Sequence, residues 1–168
     1  SYRKLSTLCS GRYIDIGEEN LVLNPFDMGL ALDGEDKQSA IAMAVAIVAE
    51  MANASTRKPV TTSEWNLLKS AVQWTVDTRR GHHGVDAVRE WLGRYPDNAT
   101  SDFDRVEHLV PTARELAFNL RDFGSDGAYG HFFNGRSTLD ISHDEFVVLE
   151  LERLKALPDL FNVIVMVV

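Results

Sequence analysis

The sequence holds a single cysteine, Cys9. That excludes an internal disulfide framework and an all-cysteine zinc site, and it is compatible with a reducing cytoplasm. Basic residues are in deficit: 17 Lys and Arg stand against 25 Asp and Glu, for a net charge of −8. A sequence-independent grip on DNA or RNA needs a basic footprint, so this balance argues against one. The terminal apolar run from Val163 to Val168 is far shorter than the ~20 apolar residues of a membrane span. No signal-like stretch opens the chain at Ser1 to Lys4. The phosphate loop G-x-x-x-x-G-K-[ST], the nucleophile elbow G-x-S-x-G and the zinc pair H-E-x-x-H are all missing.

What is present suits a packed core. With 168 residues, 45% hydrophobic and 25% charged, the chain is sized for one globular domain, or one domain carrying a small insertion. Wholesale disorder is excluded by the same figures. Val163–Val168 runs into the end of the chain without a cap, turn or polar tail, and helix-like Tyr2 to Leu5 opens it as abruptly. Termini of free-standing domains are usually exposed and polar, so the expectation is a piece of a larger protein.

Three stretches follow one another. In residues 1–34 a short helical run ends at Gly11, which reads as a helix stop. Arg12 to Ile16 alternates like a half-buried strand. Gly17 to Asn20 reads as a turn and Leu21 to Leu23 as a second short strand, which Pro25 ends by removing an N–H and restricting Asn24. Residues 35–123 are helical. Ile41, Val45, Val48 and Ala52 mark one face of an alanine-rich helix, with Ala44 and Met51 beside them. Thr61 and Glu64 form a capping box ahead of a second helix, in which Trp65, Leu68, Val72 and Val76 repeat at helical spacing and which Gly81 ends. Trp65 and Leu68 are expected to face Val45 and Val48. Val85, Val88 and Leu92 mark a third helix that stops before Pro96. A fourth, capped by Ser101 or Asp102, carries Val106 to Leu120 and is kinked or split at Pro111. Residues 124–168 start as a Gly-, Ser-, Asp- and Asn-rich loop reaching Asp144. Phe146 to Leu149 then reads as a strand buried on both faces of a parallel sheet. Pro158 suits the first turn of a closing helix, while the β-branched residues from Val163 onward favour strand.

Strands, a helical excursion and a return to a strand describe an α/β domain interrupted by an insertion. The Phe146 strand needs hydrogen-bonding partners that helices cannot supply, so it is expected in one sheet with the Tyr13 strand. Such a partial sheet should expose apolar edges and promote self-association.

Few residues offer chemistry. His82 and His83 with Asp86 are metal-ligand types at a helix start, yet adjacent histidines do not share a helix face, and they read as a solvated loop. Asp140, His143, Asp144 and Glu145 lack the glycine and closing glutamate of a calcium loop and read as a charged turn. Gly124-Ser125-Asp126-Gly127 has no lysine and precedes further loop rather than a helix, so it reads as a turn. Cys9 has no neighbouring base. Glu150 and Glu152 point the same way from the end of the Phe146 strand. Either they edge a ligand site, as strand carboxyl ends do in α/β proteins, or they mark where the strand leaves the core.

Three ordered blocks carry a resemblance. Ser1-Tyr2, Gly11 to Ile16 and Asn24-Pro25-Phe26-Asp27 resemble the stretch after the Walker A helix in conjugative-transfer ATPases of the TraC class, within the type IV secretion ATPases. Tyr129 to Ser137 with Leu139-Asp140 resembles their glycine-and-aromatic loop. Phe146 to Glu152, with Leu154-Lys155 and Pro158-Asp159-Leu160, resembles the strand and helix ahead of Walker B. The resemblance implies an internal fragment of a RecA-like P-loop ATPase with a helical insertion. Its phosphate loop would lie upstream of Ser1 and its acidic magnesium motif downstream of Val168. No catalytic residue transfers onto this chain and no metal ligand is expected in it. Asn24, Pro25, Phe26, Glu150 and Glu152 would lie near the nucleotide core. ATP and magnesium would be bound by the parent, not by this fragment.

The family's activity is ATP-driven assembly of a transfer channel and pilus, by a hexameric homo-oligomer at the cytoplasmic face of the inner membrane. It works with secretion and pilus-assembly proteins, and no direct nucleic-acid binding is expected of this chain. The alternative is a non-enzymatic helical module that docks on another protein.

Overall fold

The computed structural model describes residues 2–17, 20–140 and 144–168. The chain opens with helix α1, Tyr2–Leu8, and strand β1, Arg12–Asp15. It continues through α2, Asp27–Ala31, the long α3, Gly34–Thr56, and α4, Thr62–Asp77. Then come α5, Val85–Gly93, α6, Val110–Asn119, and a single turn, α7, Gly130–Phe133. Strand β2, Val147–Glu150, and α8, Pro158–Val167, close it.

The two strands form a parallel pair, with Arg12 opposite Val147, Tyr13 opposite Val148, Ile14 opposite Leu149 and Asp15 opposite Glu150. The expected return of the chain to the Tyr13 strand is therefore observed. The sheet is smaller than expected: among the described residues it has two strands, and β2 is half-buried along its length rather than covered on both faces.

Helix α3 organises the core. Ile41, Ala44, Val45, Val48, Met51 and Ala52 are buried, the face its periodicity predicts. α4, α8, α2 and α6 all pack on it. Ala40 to Ala49 is a longer apolar run than Val163–Val168, and by length and composition α3 matches a membrane span. Its burial against neighbouring helices is the alternative account of the same apolar run. The capping box of α4 forms as expected: Thr61 Oγ1 accepts the Glu64 N–H at 3.3 Å and Glu64 Oε2 accepts the Thr61 N–H at 2.6 Å. The core runs without a break from Ile14 to Ile164.

Several local expectations are corrected. α1 stops at Leu8, and the left-handed residue after it is Ser10, at φ 53°, not Gly11. Leu21 to Leu23 is no strand; it runs beside the 132–138 segment, where Thr138 N donates to Val22 O at 3.0 Å and Val22 N to Thr138 Oγ1 at 3.0 Å. α2 follows directly, a helix the periodicity did not predict, because five residues are too few to show a repeat. α4 ends at Asp77, short of Gly81, which sits in a following 3₁₀ turn.

Trp65 is 39% exposed, whereas Leu67, Leu68, Ala71, Val72, Thr75 and Val76 are buried. The buried sector of α4 centres on Leu68, Ala71 and Thr75, which leaves Trp65 at its edge in the first turn. Pro111 neither kinks nor splits a helix but begins one, α6, where its missing N–H costs nothing. The 102–104 and 107–109 segments before it are 3₁₀ turns. The 124–144 segment is not all loop, since it contains α7. α8 stays helical through Val167, against the strand preference of its valines. Leu160, Val163 and Ile164 recur at helical spacing and bury against α3, and that packing overrides propensity.

Candidate functional site

Asn24 is the hub of the Asn24-Pro25-Phe26-Asp27 segment, and only 5% of its surface is exposed. Its Nδ2 donates to the carbonyls of Gly81, at 2.7 Å, and Gly135, at 2.5 Å. Its Oδ1 accepts the Phe26 N–H at 2.8 Å, and its own N–H donates to Ser137 Oγ at 2.9 Å. One side chain therefore joins the entry to α2, the turn after α4 and the 134–138 loop. Asp27 reinforces the junction: its Oδ2 accepts the Ser137 N–H at 2.6 Å. Its Oδ1 is buried, accepts no hydrogen bond among the described residues and stands 3.4 Å from His82 Nδ1.

Above this junction lies an open groove of about 990 Å³. Asn24, Pro25, Asp27 and Met28 form one wall, Asp36 and Met43 of α3 another, and Ser137 and Asp140 the third. Phe26 turns the other way and is completely buried in the core. Of the three residues expected together, two thus line the groove and the third anchors it.

Glu150 and Glu152 lie elsewhere, at the end of β2. Glu150 Oε2 accepts from Tyr13 Oη at 3.4 Å and Oε1 accepts the Glu152 N–H at 3.0 Å, while the Glu152 side chain is exposed. Tyr13 also carries the Arg3 guanidinium 4.8 Å above its ring. Burial, then the Glu150 charge, push the Tyr13 phenol above its ordinary value of 10.0, since both disfavour the phenolate. Among the described residues no hydrogen bond or ion pair joins Glu150 or Glu152 to Asn24.

The other candidates disperse. His83 is exposed, and Asp86 Oδ1 accepts the Ser125 N–H at 2.9 Å, away from the His82–Asp27 pair. Asp144 lies 3.6 Å from Arg12 Nη1, which also donates to Asp140 O at 2.9 Å, so that acidic run holds down β1. His143 lies outside the described residues. Two further residues belong to the junction and carried no sequence signal of their own. Asp27 sat in the quoted Asn-Pro-Phe-Asp block without a role. Asn134 donates to the carbonyls of Phe123, at 3.0 Å, and Gly130, at 2.7 Å, and accepts the Asp86 N–H at 3.3 Å.

A triphosphate with magnesium does not fit these residues. Among the described residues no Lys or Arg lines the groove, and the carboxylates of Asp27, Asp36 and Asp140 would repel phosphate. Three N–H groups of the 124–130 loop are taken by backbone carbonyls: Gly127 N donates to Gly124 O at 2.8 Å, Tyr129 N to Asp122 O at 2.8 Å and Gly130 N to Gly127 O at 3.2 Å. None of these three is left to cradle an anion. Among the described residues no three His, Cys, Asp or Glu side chains are close enough to share a metal ion.

The sequence matches the family described as the TraG P-loop domain over residues 1–168. No curated protein and no solved structure matches it. The blocks that resemble conjugative-transfer ATPases lie within this match, and the parallel β1–β2 pair is consistent with a P-loop domain. The chain belongs to the TraG P-loop domain family, a family related to conjugative-transfer ATPases.

Proposed function

We propose that this chain is part of the motor of a conjugative type IV secretion ATPase. Residues 1–34 and 124–168 belong to its RecA-like core, and residues 35–123 form a helical insertion. The observation that supports this best is the register of β1 on β2, which brings together two segments separated by the whole helical stretch. Parallel strands need a long crossover, and here the insertion serves as that crossover.

In this reading the phosphate loop precedes residue 1 and the acidic magnesium motif follows residue 168 in the parent, which supplies ATP and magnesium binding. Glu150 and Glu152 then stand at the carboxyl edge of β2, where α/β sheets hold ligands. Asn24, Pro25 and Phe26 brace the core at the separate junction ahead of α2. The parent works as a homo-oligomer at the cytoplasmic face of the inner membrane. It couples hydrolysis to channel or pilus assembly and DNA transfer through secretion-system partners, while the acidic chain itself does not grip nucleic acid.

The purified chain should hydrolyse no ATP, because phosphoryl transfer depends on a phosphate loop, its lysine and bound magnesium. The parent polypeptide should hydrolyse ATP and lose that activity when its phosphate-loop lysine is replaced. Turnover that follows the isolated chain through purification, or a parent with no phosphate loop ahead of residue 1, would overturn the assignment.

A further inference from the structure

A second cleft, of about 650 Å³, lies within the helical stretch, between α4 and the 95–109 segment. Its α4 wall is a stripe of polar side chains at helical spacing, Ser63, Asn66, Ser70, Gln73 and Asp77. Asn66 and Ser70 spend their side chains on no hydrogen bond among the described residues, and Gln73 Nε2 donates to Asp77 Oδ2 at 3.0 Å. The facing wall is apolar: Trp91, Tyr95, Ala99, Phe103, Val106 and Leu109. Phe103 is 97% exposed, yet its turn is tied down. Tyr95 Oη donates to the Asp104 carbonyl at 2.6 Å and accepts the Val106 N–H at 2.8 Å, while Ser101 Oγ donates to Asp104 Oδ2 at 2.7 Å. A fixed turn thus displays the ring, and no ring or guanidinium stacks on it among the described residues. Three charges line the cleft. Asp77 stands 3.8 Å from Lys37, whereas Lys69 and Asp104, on opposite walls, have no ion pair among the described residues. Arg105 pairs with Asp102 instead, at 3.9 Å.

We propose that this cleft binds an extended, proline-rich peptide segment of a partner protein, with one basic residue of the peptide at Asp104. The two walls decide the class. A row of uncharged amide and hydroxyl groups suits a ligand that brings unpaired backbone carbonyls, as a polyproline helix does and an α-helix along its side does not. The facing aromatic wall suits proline rings, whose locked backbone also loses little freedom on binding. The dimensions agree. Ser63 to Thr78 covers about 22 Å of α4, the length of about seven residues of polyproline helix. Spread over that length, about 650 Å³ is too narrow for an α-helix, which with its side chains is about 10–12 Å across. Charge sets the direction: Asp104 attracts the basic residue, and Lys69 repels it from the other wall. The site lies between Ser63 and Leu109, and it does not rest on the nucleotide reading.

Calorimetric titration of the purified chain with synthetic peptides of about ten residues, prolines and leucines with one arginine, tests it. The panel moves the arginine through every position, and at least one member should bind. Fluorescence locates the binding: in Trp65→Phe the remaining indoles, Trp74 and Trp91, both line the cleft, and their emission should change. Phe103→Ala should weaken the best peptide about tenfold without shifting the melting temperature, since the ring is exposed. Asp104→Asn keeps the acceptor for Ser101 and should remove the salt dependence of binding. It should also make the arginine peptide and its glutamine counterpart bind alike. A panel with no binding member, a leucine–alanine helical peptide that binds as well as the proline one, or affinity unchanged in Phe103→Ala would each overturn the proposal. So would binding that leaves the indole emission unmoved, which would place the peptide elsewhere.

Discussion

Gly11 lies against Phe146 so closely that no side chain fits between them: a Cβ on Gly11 would stand 2.7 Å from the Phe146 carbonyl oxygen and would also meet its ring. The same carbonyl accepts the Arg12 N–H at 2.9 Å, at the start of the β1–β2 pairing. Glycine is thus required here for close approach, while the left-handed turn ahead of it is taken by Ser10.

Gly11→Ala should therefore destabilise the fold by about 1–3 kcal/mol, the usual cost of forcing a methyl group into a filled site. Urea denaturation measures it. Ser10→Gly, which relieves the left-handed backbone, should be neutral or stabilising. Unchanged stability in Gly11→Ala would mean that Phe146 does not pack on this residue.

Asn24→Ala removes partners from the Phe26 N–H and from the carbonyls of Gly81 and Gly135. Each buried group left unpaired costs about 1–3 kcal/mol, so the loss should far exceed that of an exposed alanine substitution. Asn24→Asp tests the donor role separately. An ionised carboxylate would face two carbonyl oxygens, so the variant should recover stability as pH falls and the new acid protonates. A stability difference from wild type that stays constant across the acid range would refute the donor assignment.

Leu68 and Trp65 should behave in opposite fashion to what their sizes imply. Leu68 is completely buried, and Leu68→Ala should cost about 2–5 kcal/mol. Trp65 lies at the edge of the buried face, and Trp65→Ala should cost less than about 1 kcal/mol. Thermal melts of both variants settle the order, and a larger loss at Trp65 would place its ring in the core after all.

Tyr13 adds an alkaline dependence. Its phenol is held protonated above 10.0 by burial and by the Glu150 charge, whereas in the unfolded chain it titrates near that value. Its contribution is present in full below the unfolded value and is lost as pH rises through the folded one. The stability of Tyr13→Phe, followed by denaturation across the alkaline range, should fall less steeply than that of wild type. Parallel curves would show that Tyr13 feels no such environment.

The periodicity of α3, the Thr61–Glu64 capping box and the helix start at Pro158 are legible in the sequence because each rests on contacts within a turn or two. The pairing of β1 with β2 is legible for another reason: a strand must find ladder partners, and few segments could provide them. The site is only half legible. Resemblance singles out Asn24, Pro25 and Phe26, but nothing in the local pattern says that Asn24 reaches Gly81 and Gly135, or that Glu150 and Glu152 stand apart from it.

By itself, then, the sequence determined where most helices run, which face of α3 is apolar and which family blocks the chain carries. Tertiary structure alone decided that α8 is helix rather than strand, that Trp65 sits at the edge of its face, that Pro111 opens α6 and that Asp27 joins the Asn24 junction. The physical reason is the same in each case. These outcomes depend on burial against residues far away in the chain, and a pattern read over a few turns carries no information about which distant surface will arrive.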